Sequence, residues 1–308
     1  MSTALRIAHG TFGRVALLDM DWSLVRHAHP HCHVLLKVEG ADTQFVVGDK
    51  VYPLTDEAAV VVNGWQPHSY VHDPDRSRTI ILALYIEPEW LKSFRPGWAA
   101  SGAPGFFSQP SGQVSPRIRS LALNLAADMM VRPEARISHE TALSELMIAV
   151  IERFTPWRSF PASIRELNAR LGDWRIRRVA TSMRSETGRS ASVETLAREA
   201  GLSRAHFFRL FESSIGVPPK VYLNVARMEQ AVDAVLHQTA NVSDIGARLG
   251  FAEPAHFTRF FRNHAGVSPS EFRNVSRLAR RCCAAQAHEM RRNDKFRDRP
   301  VWPGPEYG

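Results

Sequence analysis

The sequence predicts an α+β chain of two folded parts: an N-terminal antiparallel β-barrel or sandwich, joined through a helical linker to a C-terminal all-α part. Three observations predict it. Between Thr11 and Ile86, short Val/Leu/Ile/Phe-rich runs are separated by Gly and Asp/Asn punctuation, the pattern of closely spaced antiparallel strands. Past residue 116 the apolar period changes to three and four, that of amphipathic helices. From residue 173 the chain reads as helix with short breaks, and there it repeats itself. At 308 residues there is material for a core in each part.

In order along the chain, Val34–Val38, Gln44–Val47 and Ala59–Val62 read as strands, with turns at Gly40, Gly48-Asp49 and Asn63-Gly64. A Gly/Pro/Ser-rich stretch from Arg95 to Pro116 reads as a loop. Ile118, Leu121, Leu125 and Met129, then Leu143, Met147, Val150 and Ile151, place two amphipathic helices at about 116–131 and 138–154. These helices suit a dimerisation hairpin or a cover for one face of the barrel. The expected division is 1–95, the β domain; 96–172, loop and helical linker; 173–276, the helical domain; and 277–308, a basic tail whose composition predicts little packing.

Charge separates the parts. The net charge is +8, and all of it falls in residues 173–308, where 22 Lys+Arg face 14 Asp+Glu; residues 1–172 hold 17 of each. Such asymmetry points to an anionic partner for the second part, nucleic acid being the commonest. The longest strongly apolar run, Ile80–Ile86, is far short of a membrane span. Cys32, Cys282 and Cys283 make no disulfide framework and the N-terminus carries no apolar signal, so a cytoplasmic location and no membrane partner are expected.

Residues 205–219 align with 255–269 at eight of 15 positions. In each copy a first helix opens at Ser192 or Asn241, stops at Gly201 or Gly250, and is followed by a second helix whose Phe207, Leu210 and Phe211, or Phe257, Phe260 and Phe261, make an apolar stripe. That is a helix-turn-helix with the other face of its second helix free. On that face lie Ala205, Phe208 and Arg209, matched by Ala255, Thr258 and Arg259. Arg bonds a guanine edge in two places, while Ala, Thr and Phe meet a thymine methyl. Arg204, Lys220, Arg227 and Arg262 are better placed for phosphates. A helix over 219–237, about 28 Å long, joins the copies and suits insertion of both reading helices into adjacent major grooves of double-stranded DNA.

Ile245-Gly246-x-x-Leu249-Gly250-Phe251, His256-Phe257-Thr258-Arg259-x-Phe261 and Gly266-Val267-Ser268-Pro269-Ser270-Glu271-Phe272-Arg273 resemble the second helix-turn-helix and closing signature of the AraC/XylS family of transcriptional regulators. The resemblance covers 173–276. It implies a two-lobed DNA-binding domain contacting promoter DNA through Arg204, Ala205, Phe208, Arg209, Ala255, Thr258 and Arg259, a homodimer, and RNA polymerase as a contact.

His27-Ala28-His29-Pro30-His31-Cys32-His33 is the other unusual run. Alternate residues of a strand share a face, so His27 and His29 converge inside a barrel, joined by His31 and His33 if the strand continues past Pro30. With Gly40 the run resembles the first cupin motif, His33 standing where Glu is expected; Asn63–His68 resembles the turn of the second, His68 matching its ligand. Cupin-like domains are also the usual sensors of these regulators, many without metal. The expectation is no cofactor and no bound metal, His27, His29, His33 and His68 being the candidates if one binds. A small-molecule effector site is expected at His27, His29 and His68, walled by Trp22, Trp65 and Tyr70. The whole is expected to be an effector-controlled transcriptional regulator and not an enzyme; the alternative is a metal-dependent cupin enzyme of oxygenase type with an accessory DNA-binding domain.

Overall fold

A computed structural model of the chain describes residues 2–103, 105–155, 173–185 and 192–276. The link through Pro156 and Pro161 and the tail with Cys282 and Cys283 lie outside them. Two antiparallel sheets form the N-terminal part. Strands β1 (Thr3–Gly10), β2 (Gly13–Met20), β3 (Cys32–Gly40), β6 (Ala58–Val62), β8 (Thr79–Ile86) and β9 (Ser111–Gln113) make a six-stranded sheet in the order β1-β2-β8-β3-β6-β9. Strands β4 (Thr43–Val47), β5 (Lys50–Leu54) and β7 (His68–Val71) make a three-stranded sheet in the order β5-β4-β7.

The apolar run in β8 follows from its place in the layers. Flanked by β2 and β3, it is covered on both faces. Its Ile81, Ala83 and Tyr85 share a core with Phe45, Val47 and Tyr70 of the smaller sheet, while Leu82, Leu84 and Ile86 face helices. A strand buried on both sides loses the usual alternation. The helices are α1 (Pro88–Phe94), α2 (Pro116–Val131) and α3 (Arg136–Phe154). Ser115 caps α2 by accepting from the Ile118 amide, and Ile118, Leu125 and Met129 of α2 pack with Leu143, Met147 and Ile151 of α3 against the sheet. Lys37 on β3 donates to Asp42 and Asp56, and Arg119 of α2 reaches the same Asp56, pinning helix to sheet.

Thus the inner faces of α2 and α3 are spent on the β domain. The stretch expected as a loop from Arg95 to Pro116 instead contains a 3-10 turn, Pro96–Gly102, and strand β9 paired with β6. Ser111-Gly112-Gln113 sits at the sheet edge and is held by backbone bonds and Ser111 Oγ to Ala59 O, so it shows no alternating apolar signal.

The C-terminal part contains α4 (Trp174–Ser185), α5 (Val193–Glu199), α6 (Arg204–Ile215), α7 (Pro219–His237), α8 (Val242–Arg248), α9 (Pro254–Ala265) and a closing helix over 269–276. Its two lobes differ in attachment. Ile176, Met183, Leu196, Phe207, Phe211 and Tyr222 form the first lobe's core, apart from the sheets except for Ala28 and Trp65 at its margin. Val235, Ile245, Leu249, Phe257, Phe261 and Phe272 of the second lobe belong to one cluster with the inner faces of the sheets.

Candidate DNA-reading surface and buried histidine cluster

Each candidate reading helix is set by local chemistry. Ser192 caps α5 and Ser203 caps α6, accepting from the amides of Thr195 and His206. The turns pass through Gly201 and Gly250 at φ +66° and +84°, the left-handed region in which a Cβ is penalised. Asn241 stands at the start of α8 without a side-chain cap bond, and α9 begins with Glu253 at the cap position followed by Pro254. Gly246 brings α8 against α9: a Cβ there would lie 2.8 Å from Phe257 Cβ.

With Phe207 and Phe211, or Phe257 and Phe261, buried inward, the opposite faces are open. Ala205, Arg209, Ala255 and Arg259 are exposed, Phe208 is 39% exposed, and Thr258 is half-buried. Lys220 and Arg262 are exposed too. Arg204 pairs with Glu194 at 3.1 Å and stays open to solvent. Arg227, expected at a phosphate, is instead half-buried with its guanidinium over the Phe251 ring, because its position on α7 turns toward the second lobe.

The histidine run is not one strand. β3 starts only at Cys32, and Pro30 lies in the irregular segment before it. An isolated bridge joins His27 to His68, and His27, His29 and His68 converge: their ring centroids lie 4.4, 4.8 and 6.0 Å apart. His33 packs against His29 and His68 at 4.9 and 5.5 Å. His31 turns away, donating from Nε2 to Glu87 at 2.8 Å with Glu229 of α7 at 3.8 Å. Trp22 is 68% exposed, and the ring of Tyr70 packs on Phe45 and His72; neither walls the cluster. Trp65, at φ +64°, stacks on Tyr222 of α7 with centroids 4.8 Å apart.

Burial dominates the electrostatics. It pushes His27, His29 and His33 well below the usual histidine pKa, neighbouring imidazoles adding to the effect, and takes His68 down to about 4. The cluster is therefore neutral. Burial opposes protonation of His31 also, but the hydrogen bond to Glu87 and the charges of Glu229 and Glu87 prevail and raise its pKa. Between the β domain and α7 opens a cleft of about 620 Å³, lined by His31, Trp65, Glu87, Arg184, Glu229 and Asp233 among others.

The chain matches the model of the AraC-like ligand-binding domain over residues 15–151 and that of a helix-turn-helix domain over residues 196–275. It belongs to the AraC family of transcriptional regulators. It is 33% identical over 63 residues to the lactose operon transcription activator of Staphylococcus xylosus, a match spanning 20% of this chain and about a quarter, 23%, of that protein. Two solved structures of ToxT from Vibrio cholerae share the fold across nearly the whole chain. The apo K231A form is 14% identical, covers 88% of this chain and 99% of that one, and has a TM-score of 0.55. The wild-type protein with bound unsaturated fatty acid is 13% identical, covers 85% and 94%, and has a TM-score of 0.52.

As an AraC-family regulator the chain is a DNA-binding transcription regulator. No helix among the described residues is long and apolar enough to cross a membrane. Three residues to which the sequence assigns no individual role hold this AraC-family architecture together. Arg273, 8% exposed, donates to the carbonyls of Val235 and Ala240, satisfying the C-terminal end of α7. Glu271 accepts from the Ala4 amide of β1, tying the closing helix to the sheet. Asn63 bonds both backbone groups of Phe107 and so fixes the turn that delivers Trp65 and His68. Arg273 and Glu271 were visible only as parts of the family signature.

Proposed function

We propose that the protein reads specific promoter DNA through α6 and α9 and that a small molecule bound against the β domain controls it. The recurrence of an exposed Ala-x-x-x-Arg face, Ala205/Arg209 and Ala255/Arg259, on the second helix of both repeats carries the reading. A lone exposed Arg solvates a helix; two at matched positions beside an exposed Phe208 make a reading surface. Arg259→Ala is expected to weaken binding to the cognate site by about 1–3 kcal/mol, roughly 5- to 150-fold, with little change on random DNA. Fluorescence anisotropy on both DNAs checks it; an equal loss on both makes Arg259 a phosphate contact. For the wild type, log affinity falls with log salt by about 0.9 per phosphate neutralised.

The effector site is the interdomain cleft, of which Trp65 from the expected set is a wall; His27, His29 and His68 lie behind it. Relatives that bind an effector, as ToxT binds an unsaturated fatty acid, support an effector-controlled role. The acidic lining of Glu87, Glu229 and Asp233 favours a polar ligand here. We read the protein as non-catalytic. The free space against His27 and His29 is about 20 Å³, room for one water and none for a substrate beside a metal. A cytoplasmic location at chromosomal DNA, a homodimer and contact with RNA polymerase complete the reading. The dimer forms through the outer side of α2 and α3, where Met130, Val131 and Ile137 are exposed. Ile137→Glu is expected to shift sedimentation from dimer to monomer; an unchanged sedimentation coefficient places the contact elsewhere.

A further inference from the structure

We propose that His27, His29 and His68 bind one divalent transition-metal ion of the zinc class, its remaining coordination position facing the cavity beneath α7. These three form the group of metal-ligating side chains, among the described residues, whose donor atoms all lie within 4.8 Å of one another. Tetrahedral zinc with bonds of about 2.0–2.1 Å to nitrogen needs donors about 3.3 Å apart, so small side-chain rotations complete the site.

The tautomers are set for it. His27 Nδ1 lies 2.7 Å from the Val25 carbonyl, His29 Nδ1 3.0 Å from that of His31, and His68 Nδ1 2.9 Å from that of Gln66. A carbonyl only accepts, so each Nδ1 carries the proton and each Nε2 keeps its lone pair. Backbone carbonyls orient metal-ligating imidazoles in this way. The Nε2 atoms of His29 and His68 are buried with no hydrogen-bond partner. Two inward, unpaired acceptors in a buried site are what a cation would satisfy.

The site also has room and an outer partner. The cavity of about 20 Å³ against His27 and His29 holds one water or one ligand atom, and Glu229 of α7 and His264 of α9 line its other side. Arg14 stacks on Tyr85 in the same wall, and Glu229 supplies the opposing charge. His33 stands behind His29 and His68, its Nδ1 on the Leu84 carbonyl. An ion here joins segment 25–31 to β7 directly beneath the helix that links the two reading lobes.

The test uses the full chain without a histidine tag, in a Cys282→Ser, Cys283→Ser background that removes thiolates outside the site. One equivalent of zinc should remain after dialysis, Co²⁺ should give the intense visible absorption of tetrahedral coordination, and saturating Zn²⁺ but not Mg²⁺ should raise the melting temperature. His68→Gln and His29→Asn should lose the Co²⁺ band and bind zinc more than about 100-fold more weakly, a larger effect than loss of an outer-shell partner. Wild-type protein that retains no ion and gives neither band nor shift overturns the proposal, as does a band that survives in folded His68→Gln. If both variants misfold, the wild-type titration decides.

Discussion

Phe257→Ala is expected to cost the chain about 3–5 kcal/mol, the largest loss from any single truncation of the reader. Phe257 is fully buried, its ring packed on Phe251 and Phe261 at 5.4 and 6.0 Å. The neighbour across the helix crossing is Gly246, which has no side chain to swing into the hole. Collapse is therefore limited, the condition under which cavity costs are greatest. The same cluster runs on into the inner faces of the sheets, so the loss should reach the β domain. Differential scanning calorimetry should show the main transition falling, at roughly 2–4 °C per kcal/mol. Phe207→Ala is the control, in a separate core where Ala197 stands in place of the glycine. If both variants leave the sheet transition untouched, the second lobe and the β domain do not unfold as one unit.

Asn63→Ala is expected to cost about 2–4 kcal/mol, because it strands buried backbone rather than apolar surface. Asn63 Oδ1 accepts from the Phe107 amide at 2.7 Å and Nδ2 donates to the Phe107 carbonyl at 3.1 Å, both bonds buried. Without the side chain, that amide and carbonyl have no replacement. The turn also bears strain, since Trp65 adopts φ +64°, uncommon for any residue but glycine. Loosening it should release Trp65 from Tyr222 and displace His68. Thermal melting and tryptophan fluorescence together check this. Asn63→Asp keeps the acceptor for the Phe107 amide but sets a buried carboxylate oxygen against the Phe107 carbonyl, so its loss should be at least as large; an unchanged midpoint in Asn63→Ala would show that Phe107 finds other partners. Opening the turn should also impair effector response while leaving DNA affinity near wild type, because α6 and α9 lie in the other domain.

What was legible in the sequence is what local chemistry decides. The cap at Ser192, the left-handed glycines at 201 and 250, and the Phe stripes of α6 and α9 each depend on residues within a turn or two of one another. β3 and β6 were legible because burial on both faces makes continuous apolar runs. β5, Lys-Val-Tyr-Pro-Leu, was not, because an edge strand tolerates Pro and exposed residues that blur the alternation. The histidines were visible as a cluster, but their partition was not. His31 leaves it for Glu87, 56 residues away, and only tertiary packing sets that pair. Nor does any pattern in α7 distinguish Val225, Met228 and Glu229, which close over His27 and His29, from an ordinary helix face.

The division of α7 between two cores has a mechanical consequence. Tyr222 and Val225 at its start are packed into the first lobe, while Met228 through Leu236 are packed with the second lobe and the sheets. The boundary between the two cores thus falls inside a helix rather than in a loop. A displacement of the β domain would carry the α9 end of this rod with it, and the α6 end would follow only as far as the rod bent or its first turns slipped. If α6 and α9 read DNA as proposed, the quantity so altered would be the phase between them along the duplex, set against a repeat of about 10.5 base pairs. An input read this way would change which operator spacing fits, instead of switching affinity for every site alike.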